Sequence, residues 1–114
     1  MQVTARRLAA AGVLAVATVA SAGSAQADGD PVAGRKKAVQ CVACHGLDGL
    51  SKMPIAPNIA GSPAMYLEKQ LKAFRDGVRS EENMNVVAKP LSDADIADLA
   101  AWYSGIEVEA TPPQ

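Results

Sequence analysis

Hydrophobic positions in this chain fall into three helix-like stripes separated by stretches without a period. The first follows Asp30-Pro31, with Asp at the N-cap and Pro at the first helical position, and runs through Lys37 or Val39. Gly34 sits in its interior, where glycine costs about 1 kcal/mol against alanine; close approach of another helix is a reason for it to be there. The second stripe opens at Ser62-Pro63, again read as a cap followed by proline. It carries Leu67, Leu71, Phe74 and Val78 along one face and stops at Asp76-Gly77. The third starts at Ser92, with Asp93 and Asp95 favourable in its first turn. Ile96, Leu99, Ala100 and Tyr103 form its apolar face, and Ser104-Gly105 ends it. Residues 46–61 and 79–91 read as irregular, and 106–114, with Thr111-Pro112-Pro113, as an extended tail. The pattern predicts a small all-α domain without internal repeats.

The N-terminus changes the domain count. Arg6 and Arg7 precede an apolar run from Leu8 to Ala20, and Ser24-Ala25-Gln26-Ala27 offers a small-residue cleavage site. That run is 13 residues long, short of the roughly 20 that a membrane span needs. Residues 1–27 therefore read as an export signal cleaved after Ala27, with an uncleaved anchor as the alternative. Residues 28–114 are then one domain, too small for a generous core and holding only four aromatics, Tyr66, Phe74, Trp102 and Tyr103. Charge is uneven along it. Residues 52–89 carry six basic and four acidic groups, whereas 90–114 carry five acidic and no basic ones. Solvated helix faces account for this, as would a dipolar surface that orients a docking protein. Nothing in it points to nucleic acid.

The chemistry lies in Cys41-Val42-Ala43-Cys44-His45, which holds both cysteines and the single histidine of the chain. This is the attachment pattern of a c-type haem. Each thiol adds to one vinyl group of the macrocycle, and the next residue is placed to reach the iron with an imidazole nitrogen. A redox dithiol would need a thioredoxin-like strand–helix–strand setting, which the pattern lacks. A zinc site would need about four protein ligands. A disulfide closing so small a loop would remove little unfolded-state entropy. A covalent haem would also supply the apolar bulk that the domain is short of.

One histidine fills one axial position. Methionine is the thioether that cytochromes use for the other, and it raises the reduction potential. Met53 lies eight residues beyond His45, a short chain for crossing to the opposite haem face, and Met65 lies in the second helix, where packing explains it. Met84, in the irregular segment between Asn83 and Asn85, is preferred over Met53 as the iron ligand. A ligating imidazole usually donates its other N–H to an oxygen. A carbonyl in the loop after the motif is the natural acceptor; Pro57, which has no N–H to donate, offers its own or serves as a plain turn proline.

Taken together these residues resemble a class I cytochrome c over essentially all of 30–105. The resemblance rests on Gly34 and the Cys41–His45 motif with Gly46, then on Pro57 to Gly61. It continues through Tyr66-Leu67, Gln70-Leu71, Phe74, Gly77, Arg79 and Met84 to Leu91-Ser92-Asp93 and Ala100-Ala101-Trp102-Tyr103. It is nearest to short bacterial members and to one unit of the tandem dihaem proteins. The resemblance implies three main helices wrapped around one covalent haem c, with Gly34 meeting Trp102 where the first and last helices cross. It implies a hydrogen bond from His45 to the Pro57 carbonyl, and Met84 as the second ligand. Relatives often carry several methionines before the last helix; here Met84 stands alone. Propionate contacts do not map onto definite positions, Tyr66 and Arg79 being the candidates.

The expected function is one-electron transfer in the periplasm between redox proteins, without catalytic acid–base machinery and without stable membrane insertion once the signal is removed. A monomeric carrier is one form of this. A haem subunit acting as the electron outlet of a periplasmic dehydrogenase is the alternative, and the short polar tail supports docking only weakly. A haem sensor with an open site and a haem-free dithiol oxidoreductase are the remaining readings.

Overall fold

A computed structural model describes residues 28–114; the export signal read in 1–27 lies outside the described residues. Among the described residues five α-helices occur in order, α1 (Pro31–Lys37), α2 (Val42–His45), α3 (Ala64–Arg75), α4 (Glu82–Ala88) and α5 (Asp93–Ser104), and a 3-10 turn at Ala38–Gln40 joins α1 to α2. No strand occurs among the described residues.

The N-terminal cap forms as the residues predict, with the Asp30 carboxylate accepting the Val32 N–H at 2.8 Å. α1 then crosses α5 at Gly34. A Cβ on Gly34 would collide with the Asp98 carbonyl and lie 2.9 Å from Trp102 Cβ, so the missing side chain is what lets the two backbones touch. Polar groups brace the crossing. The Asp30 N–H donates to Asp98 Oδ1 at 2.8 Å, and Lys37 Nζ reaches Asp98 Oδ2 at 2.5 Å and Asp95 Oδ1 at 2.9 Å. α5 opens in a capping box, where Ser92 Oγ accepts the Asp95 N–H and Asp95 accepts the Ser92 N–H. That second bond, then Lys37, brings the Asp95 carboxyl down to about 2. Asp93 in turn pairs with Arg75 at 2.6 Å. Three acids of the C-terminal run are thus paired across elements, and Glu107 and Glu109 are exposed.

α3 differs from expectation at both ends. It begins at Ala64, with Pro63 rather than Ser62 at the N-cap and no side-chain cap. Leu67 and Phe74 are buried, but Val78 is 84% exposed. Gly77, at φ +74, ends the helix in a left-handed turn, after which the Val78 and Arg79 N–H groups both donate to the Ala73 carbonyl. Val78 is thereby turned off the apolar face.

The larger correction concerns 79–91, read as irregular, which contains α4, so Met84 sits on a helix. Asn83, Asn85, Val86 and Val87 are weak helix formers, and only Ala88 of this helix is buried, so no stripe announced it. Its start is held by side chains. The Glu81 carboxylate accepts the Met84 N–H at 2.8 Å, and Asn85 Oδ1 accepts the Glu81 N–H at 2.8 Å.

The core is small. α5 supplies Ile96 and Leu99, the largest fully buried side chains, with Tyr103 at 3% exposure. Leu67, Phe74 and Leu91 pack against them. Residues 107–114 have no regular structure and are exposed.

Candidate functional site

The cysteine motif occupies a single helical turn. The His45 N–H donates to the Cys41 carbonyl at 2.9 Å, so Cys41, Cys44 and His45, spaced at i, i+3 and i+4, fall on one face. Gly46, at φ +76, ends the turn and sends the chain into the loop 46–61.

That loop is cross-linked rather than slack. The Ile59 and Ala60 N–H groups both donate to the Gly49 carbonyl, at 2.8 and 3.1 Å, and the Ser51 N–H donates to Asn58 Oδ1 at 2.7 Å. Two aromatics of α5 tie its start. Trp102 Nε1 donates to the Leu47 carbonyl and the buried Tyr103 hydroxyl to the Gly46 carbonyl, each at 3.0 Å. With the loop set in this way, the Pro57 carbonyl stands 2.8 Å from His45 Nδ1. A carbonyl only accepts, so the proton of a neutral imidazole is on Nδ1, and Nε2 carries the free lone pair.

A cavity of about 340 Å³ is lined by Cys41, Cys44, His45 and Met84. Leu67, Leu71 and Phe74 of α3 and Leu99 and Tyr103 of α5 make up much of its apolar wall. Met53 and Met65 do not line it. Met53 Sδ lies 3.5 Å from Cys44 Sγ, beside the motif, and Met65 is 85% exposed. Among the described residues Met84 is therefore the one methionine on the cavity, reached from a helix rather than from the irregular backbone first expected.

The donors suit a flat apolar macrocycle that carries a soft-liganded iron: two thiols, an imidazole and a thioether on a hydrophobic wall. They do not suit a bare ion. Among the described residues no group of three or more His, Cys, Asp or Glu could hold one. Nor do they suit a working dithiol, since burial pushes the Cys41 thiol up, away from the thiolate that exchange requires. The Tyr103 hydroxyl is pushed up by burial as well, which keeps it a hydrogen-bond donor.

The family model for cytochrome c matches residues 31–105. The chain belongs to the cytochrome c family. The cytochrome is 52% identical to cytochrome c-554(548) of Halomonas halodenitrificans over 82 residues, which is 69% of this chain and 99% of that one. It is 41% identical to a thiosulfate dehydrogenase electron acceptor of Thiomonas intermedia over 102 residues, 88% of this chain and 46% of the relative. Among solved structures, reduced recombinant cytochrome c4 from Pseudomonas stutzeri superposes with a TM-score of 0.65 at 39% identity, over 69% of this chain and 46% of that one. The cytochrome thus spans nearly the whole of the first relative and under half of the other two. With membership come a covalently bound haem c and electron transfer. No helix of the described residues is long and apolar enough to cross a membrane.

Two groups that frame the site were not legible as site residues beforehand. By sequence Tyr103 belongs only to an apolar face, and Asn85 is only a polar neighbour of Met84. The signal for Asn85 was its type, since Asn side chains readily bond nearby backbone groups.

Proposed function

We propose that the protein is a periplasmic one-electron carrier in which Cys41 and Cys44 hold haem c through thioethers and His45 and Met84 are the axial ligands. The observation that carries this is the convergence of the four side chains on one apolar cavity, with no other methionine of the described residues lining it. When bound, the haem supplies the ferric/ferrous couple. The chain's own residues orient and shield. The bond from His45 Nδ1 to Pro57 fixes the ring and raises the basicity of Nε2. With haem bound, the Met84 thioether would raise the reduction potential and the apolar wall would keep water from the iron. The export-type N-terminus and the thioether attachment both support the periplasm.

The ligand set is tested by substitution. Met84→Ala should abolish the methionine-to-ferric-iron charge-transfer band and lower the potential in a redox titration, while Met53→Ala should leave both as they are. The reverse outcome removes Met84 from the assignment.

The likeness to a thiosulfate dehydrogenase electron acceptor favours a second form of the same reading, a haem subunit that takes electrons from a periplasmic dehydrogenase. Gel filtration of native material separates them: a free carrier elutes at its own mass, a subunit with its enzyme.

A further inference from the structure

α4 is seven residues long, well under the roughly 12–15 at which an isolated helix is even marginal in water. Yet it carries Met84, whose thioether lines the cavity. Something other than helix propensity must hold this turn, and the bonds around Met84 show what does. The half-buried Asn85 follows it directly, and its amide is engaged in three directions. Nδ2 donates to the Phe74 carbonyl in the last turn of α3 at 2.7 Å and to the Arg79 carbonyl in the connecting loop at 2.8 Å. Oδ1 accepts the Glu81 N–H at 2.8 Å. Glu81 in turn accepts the Met84 N–H at 2.8 Å. One side chain therefore joins the end of α3, the loop and the cap of α4, and both backbone neighbours of the Met84 turn are tied through it. An amide is the only side chain of this length that offers two donors and an acceptor at once.

We propose that Asn85 is the positioning residue for Met84: its three backbone bonds hold the α4 turn in the register that keeps the thioether on the cavity. The proposal rests on Met84 being an axial ligand. By linkage, whatever holds the ligated register must weaken when the ligand leaves, and removing it must favour a competing ligand.

The test uses the holoprotein and its Asn85→Asp and Asn85→Ala variants. Asn85→Asp keeps the shape and the acceptor for Glu81 but loses both donors; Asn85→Ala loses all three bonds. Val86→Ala, at a position on the same helix that is 71% exposed, is the control. Ferric protein is titrated with imidazole, which competes with Met84. Both Asn85 variants should bind imidazole about tenfold more tightly, the scale of one net hydrogen bond, with a weaker charge-transfer band and a lowered potential, and Val86→Ala should match wild type. A lower melting temperature with wild-type imidazole affinity, band and potential would make Asn85 a scaffold residue only and overturn the proposal. If instead Met84→Ala leaves the band intact, the ligand assignment itself has failed, whatever the Asn85 variants do. Should neither variant retain haem, hydrogen exchange of the Asn85 side-chain amide in wild type decides. Protection that drops when imidazole displaces Met84 supports the coupling, and protection indifferent to imidazole overturns it.

Discussion

Replacing Gly34 with alanine is the sharpest probe of how the scaffold holds the site. In an exposed helix the change would stabilise by about 1 kcal/mol. Here the new Cβ meets the Asp98 carbonyl and Trp102 Cβ. A backbone carbonyl cannot swing aside as a flexible side chain can, so α1 must move off α5 and lengthen the bonds from Asp30 and Lys37 to Asp98. Overpacking costs about 1–3 kcal/mol and more where backbone must shift. Taking the upper end and crediting the propensity leaves a net loss of about 2 kcal/mol. For a domain of this size each kcal/mol moves the melting temperature by about 4–8 °C, so Gly34→Ala should melt about 8–16 °C below wild type. Circular dichroism and Soret absorbance of the ferric holoprotein measure it. Gly77→Ala is the matched control, because a Cβ there meets nothing within 4 Å while φ is +74. Its cost is the left-handed conformation alone, about 1–2 kcal/mol, and Gly77→Asn should recover part of it. Below the melt, the spectrum and potential of Gly34→Ala should be those of wild type, since Gly34 does not line the cavity. A Gly34→Ala protein that melts at or above wild type would refute the close crossing.

Other outcomes follow from the same contacts. Haem-free protein should be largely unfolded, because only Ile96 and Leu99 are large fully buried side chains among the described residues and the wall of Leu67, Leu71, Phe74 and Leu99 would lose the macrocycle as its packing partner; native-like helical circular dichroism with a cooperative melt in the apoprotein would contradict this. Tyr103→Phe removes the hydroxyl's bond to the Gly46 carbonyl, which keeps the Gly49 N–H as a donor, and should cost about 1 kcal/mol in a denaturant titration. Stability should fall in acid. Asp95 is held down at about 2, chiefly by the Ser92 N–H and then by Lys37. Its stabilisation is fully present above the ordinary carboxylate range near about 4 and is lost as pH drops towards the folded value. Asp95→Asn should flatten that limb of melting temperature against pH, and an unchanged limb would place the acid sensitivity elsewhere.

The attachment motif, its covalent cofactor and two of the three main helices with their caps could be read from residue types because each is a local code. Cys41, Cys44 and His45 share a face by spacing alone, and Asp30 and Ser92 cap helices through atoms only a few residues away. Gly34 announced a close approach by being glycine in a helix, and its resemblance to the family named Trp102 as the neighbour. What the chain alone did not disclose is whatever depends on distant backbone. α4 has no stripe and poor formers, and exists because Asn85 reaches carbonyls 11 and 6 residues away. Val78 keeps helical spacing but leaves the core because Gly77 reverses the chain. Nor does the acidic C-terminal run disclose that Lys37 and Arg75 come from other helices to pair with Asp93, Asp95 and Asp98. Local chemistry specified which groups would act, and only tertiary contacts, through their long-range hydrogen bonds and ion pairs, decided where Met84 would stand when they did.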